Sequence, residues 1–276
     1  MKIKILGSGG GEGFPALFCR CDHCREARLA GGKSIRTLSQ TMINDELLID
    51  FPYDTSAHCL SFGIELGDIE NVLITHSHSD HYVPLLLSVR GGVFAHNMKH
   101  EKIRFYGPAD LEAICDKEEI GEKMRENTVF TEMYHGAARD IGGYRVTAIS
   151  ARHAPERGSL NYVIEQDGKR LLYLIDTGYP TEETLEYLKE NFGFFDAVVM
   201  DATMGVAPAG AYVYHMGFAE NIMLRQKLFS LGVAGKNTRF IAAHITHNKA
   251  ETHEKTEAFF VGTGIEVSYD GFEFEI

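Results

Sequence analysis

The sequence predicts one α/β domain over residues 1–276, and three observations predict it. Short apolar runs alternate with helix-like stretches along the chain, four of those runs end in Asp or His, and no repeat, low-complexity tract or Pro/Ser-rich linker interrupts the series. The strand-like runs are Lys2–Gly7, Glu46–Phe51, Val72–Thr75, Ile103–Tyr106, Tyr144–Ser150, Leu160–Glu165, Arg170–Ile175, Ala197–Met200, Arg239–Ala243 and Ile265–Tyr269. The helix-like stretches are Tyr82–Arg90, Ala109–Arg125, Thr181–Asn191, Phe218–Leu231 and Lys249–Phe260. Thr181, followed by Glu182 and Glu183, reads as an N-cap with acids in the first turn. Gln166-Asp167-Gly168-Lys169, between two strand-like runs, reads as a hairpin turn.

Composition narrows the function classes. Lys and Arg number 27 against 39 Asp and Glu, and the net charge of −12 disfavours a nucleic-acid backbone binder, which needs a basic face. No run approaches the roughly 18 apolar residues of a membrane span. The opening MKIKILGSGG lacks the apolar stretch of an export signal, so the expected location is the cytoplasm. Three of the five cysteines, Cys19, Cys21 and Cys24, fall within six positions. That spacing favours a metal over a disulfide, because a Cys19–Cys21 bridge would be strained. Cys59 and Cys115 stand alone and read as small core residues.

The four polar-ended runs lead to His76, Asp176, Asp201 and His244. A buried strand carries such a side chain to its carboxyl end, the rim at which α/β sheets bind ligands. His76-Ser77-His78-Ser79-Asp80-His81 packs three imidazoles and a carboxylate into six residues. In extended chain, residues two apart point the same way, so His76 and His78 can converge on one ion. Asp80 and His81, opening a helix near Tyr82, can then face a second. Imidazole and carboxylate donors suit zinc, manganese or iron.

HSHSDH after a hydrophobic strand resembles the HxHxDH signature of the metallo-β-lactamase superfamily. The resemblance runs end to end, since His153, Asp176 in Leu174-Ile175-Asp176-Thr177-Gly178, and His244 follow in the family's order. It implies an αββα four-layer sandwich, two mixed sheets flanked by helices, with two divalent ions (Zn or Mn) at one edge. One ion would be held by His76, His78 and His153, the other by Asp80, His81 and His244, with Asp176 bridging both. Asp201 would orient a ligand histidine.

The opening Gly7-Ser8-Gly9-Gly10-Gly11-Glu12-Gly13-Phe14-Pro15 with Cys19-Arg20-Cys21-Asp22-His23-Cys24 is similar to PhnP-type cyclic phosphodiesterases. It is not a dinucleotide fingerprint, because Glu12 stands where the third glycine belongs. The resemblance implies a structural zinc on Cys19, Cys21, Cys24 and His247, with His23 the alternative fourth ligand. It also implies that His215, in Tyr214-His215-Met216, serves as general acid or oxyanion stabiliser, completing a catalytic set with Asp80 and Asp176. The remaining histidines, His58, His96, His100, His135 and His253, receive no role.

The expected activity is metal-dependent hydrolysis of a small phosphodiester. Nucleic acid is the less expected substrate, no membrane partner is expected, and a homodimer is left open. The alternatives are a tRNA-processing endonuclease, an ester, thioester, lactone or lactam hydrolase, and a non-catalytic PqqB-like or metal-sensing protein. The stretch Lys99–Ala138 exceeds the PhnP-type pattern and is expected to shape the pocket rim. Ala207–Tyr214 is expected to form a flap over the metals.

Overall fold

The computed structural model describes residues 1–276. Fourteen strands form two seven-stranded mixed sheets, largely one from each half of the chain. The first sheet holds β1 (Lys2–Gly7), β2 (Gln40–Ile43), β3 (Leu47–Ile49), β4 (Asn71–Leu73), β5 (Ile103–Gly107) and β6 (Thr128–Glu132) in sequence order. The second holds β7 (Ala138–Ile141), β8 (Tyr144–Ser150), β9 (Leu160–Gln166), β10 (Lys169–Leu174), β11 (Ala197–Asp201), β12 (Arg239–Ala243) and β13 (Ile265–Val267). The last strand, β14 (Phe272–Glu275), crosses back to pair antiparallel with β1. Strands β3 to β6 run parallel, as do β10 to β13, so each sheet presents a row of carboxyl ends.

Alternation along the strands builds the layers. Tyr162, Ile164, Leu171, Tyr173, Val199 and Ile241 point into a central core with Ile3, Ile5, Ile43 and Ile49 of the first sheet. Their neighbours Val163, Leu172, Leu174, Val198 and Phe240 point the other way, against α5 (Glu182–Asn191), α6 (Phe218–Ser230) and α7 (His253–Phe260). On the outer face of the first sheet, Met42, Leu48, Val72 and Phe105 pack with Tyr82, Leu87 and Leu111. The expected αββα sandwich is therefore the observed one.

Three fully buried tyrosines cross the seam between the sheets. Tyr162 donates to the Ile74 carbonyl at 2.6 Å, Tyr173 shares a hydrogen bond with Thr41 at 3.2 Å, and the Tyr144 hydroxyl accepts from Asn44 Nδ2 at 2.9 Å. Each ring fills the apolar core while its hydroxyl keeps a polar partner, which is how a buried tyrosine avoids a desolvation cost.

The hairpin and the cap are as expected: Asp167 and Gly168 take φ of 51° and 75°, and Thr181 Oγ1 accepts from Thr184 N at 3.1 Å. Other elements differ. No α-helix starts at Tyr82; Tyr82 forms a parallel bridge with Phe51, with Phe51 N bonding His81 O and Val83 N bonding Phe51 O, and a 3₁₀ turn follows over Pro84–Val89. Pro84 causes this, because the residue before a proline avoids the α region. Ala109–Arg125 splits into α3 (Leu111–Cys115) and α4 (Glu122–Glu126). Gly121 and the acids 116, 118 and 119, set against the carboxyl end of α3, oppose a continuous helix. Two helices that the apolar periodicity does not announce, α1 (Asp22–Ala30) and α2 (Thr55–Phe62), join the fold, as do strands β2, β6, β7 and β14. Lys99–Ala138 becomes β5, β6 and the helices between them, at the edge of the first sheet.

Removing the Tyr162 hydroxyl leaves the Ile74 carbonyl short of its donor just before the histidine segment. Tyr162→Phe is expected to lower stability by about 1–3 kcal/mol, read from the urea midpoint at constant slope.

Candidate metal centre

The histidine segment leaves β4 through Ile74 and Thr75 and tightens into a turn, with His81 N and Tyr82 N both bonding the His78 carbonyl. His76, His78, Asp80 and His81 thereby reach the carboxyl rim from the first sheet. From the second sheet, His153 follows β8, Asp176 follows β10, and His244 follows β12. Asp176 and His244 sit at positive φ, 52° and 58°. Such backbone costs of order 1–3 kcal/mol per residue, and here it turns each side chain off its strand into the rim.

These donors form two adjoining groups that share Asp176. His76, His78, His153 and Asp176 offer one atom each within 4.8 Å of one another, and so do Asp80, His81, Asp176 and His244. A third group, Asp176, Asp201, His215 and His244, meets the same limit beside them. Asp176 Oδ2 lies 3.2 Å from His76 Nε2, 3.2 Å from His81 Nε2, 3.4 Å from His153 Nε2 and 3.9 Å from His244 Nε2. His78 Nδ1 lies 2.9 Å from His76 Nε2 and 3.2 Å from His153 Nε2.

The chemistry of this donor set fits divalent cations. Three imidazole nitrogens aimed at one point offer lone pairs that repel one another unless a cation lies between them. His81 Nε2 and His244 Nε2 are buried without a hydrogen-bond partner. Burial pushes His76 down and His153 down to about 4, which keeps both neutral and ready to ligate. Burial opposes ionisation of Asp176, but His244 and contacts from His215, His76 and His81 hold it well below the usual carboxylate range. Asp80 is likewise ionised: burial opposes it and His81 outweighs burial.

Each group is braced from behind. Asp50, at φ 66° directly after β3, accepts from Thr75 N at 2.8 Å and lies 2.7 Å from His81 Nδ1, which fixes that ring with Nε2 forward. The Thr203 hydroxyl bonds His244 Nδ1 at 2.8 Å and Asp201 Oδ2 at 3.0 Å. Asp201 thus reaches His244 through Thr203, and it also takes Met216 N at 3.0 Å. His215 Nδ1 lies 3.0 Å from Asp176 Oδ1 and 3.5 Å from Asp201 Oδ2. Burial would lower this imidazole, but the two carboxylates raise it to about 10.

The glycine turn closes one side. A β-carbon on Gly11 would lie 2.9 Å from Asp80 Oδ2, and one on Gly10 would lie 2.5 Å from Thr246 Cγ2 and 3.1 Å from His244 Cε1. Only glycine lets this backbone lie against the donors. Asp270 pins the turn, accepting from Ser8 N, Ser8 Oγ, Thr37 N and Thr37 Oγ1.

Cys19, Cys21, Cys24 and His247 form a separate group within the same 4.8 Å limit. His247 Nδ1 lies 3.5 Å from both Cys19 and Cys21 Sγ, while its Nε2 lies 3.2 Å from Glu12 Oε1. A carboxylate on the far nitrogen is how a ligating imidazole is oriented. Cys21 N and Cys24 N point at Cys19 and Cys21 Sγ, and burial pushes the Cys24 thiol up to about 12, so a thiolate there needs a cation beside it. His23 stands outside this group, on the wall of the central cleft.

Asp50, Thr75, Thr203 and Asp270 carry no sequence motif, since Phe51 masks the strand end at Asp50, and Glu12 lies in the glycine-rich opening without a role read for it. No residue of Lys99–Ala138 lines the cleft above the donors; Pro108, Asp110, Tyr134 and His135 line a neighbouring cleft beside Pro155 and Glu156, and strand pairing places the rest at the sheet edge. No helix is long and apolar enough to cross a membrane. Replacing the brace behind His81 tests its part. Asp50→Asn is expected to weaken Zn²⁺ affinity by about 10–100-fold, measured by competition with a chelating dye.

The model of the β-lactamase superfamily domain matches residues 55–245, more than half of the chain. Its span contains His76 to His244 and leaves out Cys19, Cys21, Cys24 and His247. Ribonuclease Z of Picrophilus torridus is 23% identical over 233 residues, covering 77% of this chain; the chain spans 65% of that relative's length. Zn²⁺-bound PqqB from Methylobacterium extorquens superposes with a TM-score of 0.76 at 20% identity, covering 100% of both chains. A diphosphatase from the PhnP family superposes with a TM-score of 0.75 at 20% identity, covering 100% of this chain and 97% of the other. With the donors of both groups inside the matched span and the sandwich that displays them shared, the chain belongs to the β-lactamase superfamily, as a metal-dependent hydrolase of the metallo-β-lactamase fold.

Proposed function

We infer that the protein hydrolyses a small phosphodiester at a two-ion centre held by His76, His78 and His153 on one side and Asp80, His81 and His244 on the other, with Asp176 between them. The observation that carries this reading is His215: an imidazole on the cleft wall, in neither of the two groups built on the histidine segment, whose Nδ1 lies 3.0 Å from Asp176 and 3.5 Å from Asp201. Bound ions supply Lewis-acid polarisation of the phosphoryl group and acidify the attacking water. The protein supplies position and protons.

In the reaction, the oxygen of water bonds to phosphorus, one ester P–O bond breaks, and water gives up a proton. The departing oxygen needs a proton in return. His215 keeps Nδ1 on the carboxylates and has Nε2 free to donate it. Asp201, locked by Thr203 and the Met216 amide, keeps the ring from turning. Phosphoryl chemistry depends mainly on placement and charge stabilisation, which suits a site of rigid donors.

The similarity to a PhnP-family diphosphatase supports phosphorus as the reacting centre. A second reading, RNA cleavage, draws on the likeness to ribonuclease Z, and the net charge of −12 counts against it. The cysteine group would hold one zinc and tie the first loop to the loop after β12. The expected setting is the cytoplasm.

Metal content and bis(p-nitrophenyl) phosphate turnover test the reading together. Wild type is expected to bind metal and cleave the ester. Asp176→Asn is expected to lose both, whereas His215→Ala keeps the metal and loses about 10²–10⁴-fold in kcat on an alkyl diester, whose alkoxide needs the proton, and far less on the nitrophenyl ester. Ester or lactone turnover without phosphodiester turnover overturns the reading, and structured RNA as the sole substrate favours the second. His247→Ala is expected to lower bound zinc by one equivalent per chain, read by atomic absorption.

A further inference from the structure

Two clefts meet over the donor groups, and their walls differ in chemistry. His78, His153, Tyr212 and His215 line both. The larger, about 730 Å³, runs past Glu12, Asn248 and Lys249 toward the cysteine group. The smaller, about 360 Å³, is walled by Ala154, Pro155, Val213 and Tyr214. Both fall in the range of about 300–1,000 Å³ that encloses small ligands.

The apolar wall is built into the fold. A β-carbon on Gly178 would lie 1.8 Å from the Val213 carbonyl oxygen, so the loop closes directly onto the segment that carries Asp176. The base of the loop is tied by Val206 N to Lys249 O and by Gly210 N to Glu220 Oε1, both at 3.0 Å. Tyr212, Val213 and Tyr214 are nonetheless about half exposed, and nothing in the donor groups requires aromatic or aliphatic side chains there. Apart from the shared histidines, the only charged side chain on the small cleft is Glu156.

We propose, on the phosphodiesterase reading, that the substrate is an unsymmetrical diester whose phosphoryl centre sits at the four shared residues, with a polar hydroxylated arm beside Asn248 and Lys249 and a planar uncharged ring against Pro155, Val213 and Tyr214. Glu156 repels an anionic arm from the small cleft. A ring stacks on tyrosine through its π face, so an aryl alcohol and a nucleobase satisfy the same wall.

Benzyl glyceryl phosphate and ethyl glyceryl phosphate share the polar arm, have alkoxides of similar leaving ability, and differ in the ring; a thymidine 5′-ester of glyceryl phosphate supplies a base instead. The ring-bearing esters are expected to exceed the ethyl ester by about tenfold in kcat/KM. Tyr214→Ala is expected to collapse that ratio toward one, and Tyr214→Phe to keep it. Lys249→Ala is expected to lower turnover of all three with the ratio intact. Preference for only one of the two rings supports the proposal and names the source. Equal rates in wild type, or a preference that survives Tyr214→Ala, overturn it. Turnover of bis(p-nitrophenyl) phosphate with none of the glyceryl esters overturns the two-arm assignment alone; no turnover of any diester overturns the phosphodiesterase reading with it.

Discussion

The carboxylate of Asp176 is the point on which the two halves of the molecule converge. Histidines from both sheets approach its Oδ2, and His215 approaches Oδ1. An ionised carboxylate buried this deeply is tolerable only among positive charge, whether from imidazolium or from metal ions. The electrostatic need of one side chain thus dictates what surrounds it. The left-handed backbone at Asp50, Asp176 and His244 is part of the same constraint, because a regular strand ending would aim these side chains along the strand axis.

Much of the site was legible because its signals are local. His76 to His81 lie within six residues, and Asp176 and His244 each end an apolar run that the sequence exposes directly. The Asp167-Gly168 turn and the Thr181 cap are also local rules, and the structure obeys them. What stayed hidden depends on distance in sequence. Asp50 meets His81 across 31 positions, inside a run whose apolar character continues to Phe51 and so masks the strand's end. Thr203 braces His244 from 41 positions away, and Asp270 holds the first loop from 262 positions away.

The misread elements have equally physical causes. A helix at Tyr82 satisfies apolar periodicity, yet Pro84 and the parallel bridge with Phe51 oppose it. Strand β7 is short, polar and paired on one side only, so its pattern is weak and its tertiary partner decides it. The charged stretch after Cys115 reads as helix by composition, and its position at a helix carboxyl end works against continuation.

The tyrosine seam has a mechanical consequence. Tyr144, Tyr162 and Tyr173 act as pegs that index one sheet on the other. A slip of one residue along a strand, about 3.3 Å, would unseat them together. Functional geometry tolerates only about 0.5 Å, so the pegs protect an aperture whose jaws belong to different plates. Drift elsewhere in the hydrophobic filling can be absorbed while this alignment lasts, which locates the fold's resistance to change at three phenolic oxygens deep inside it.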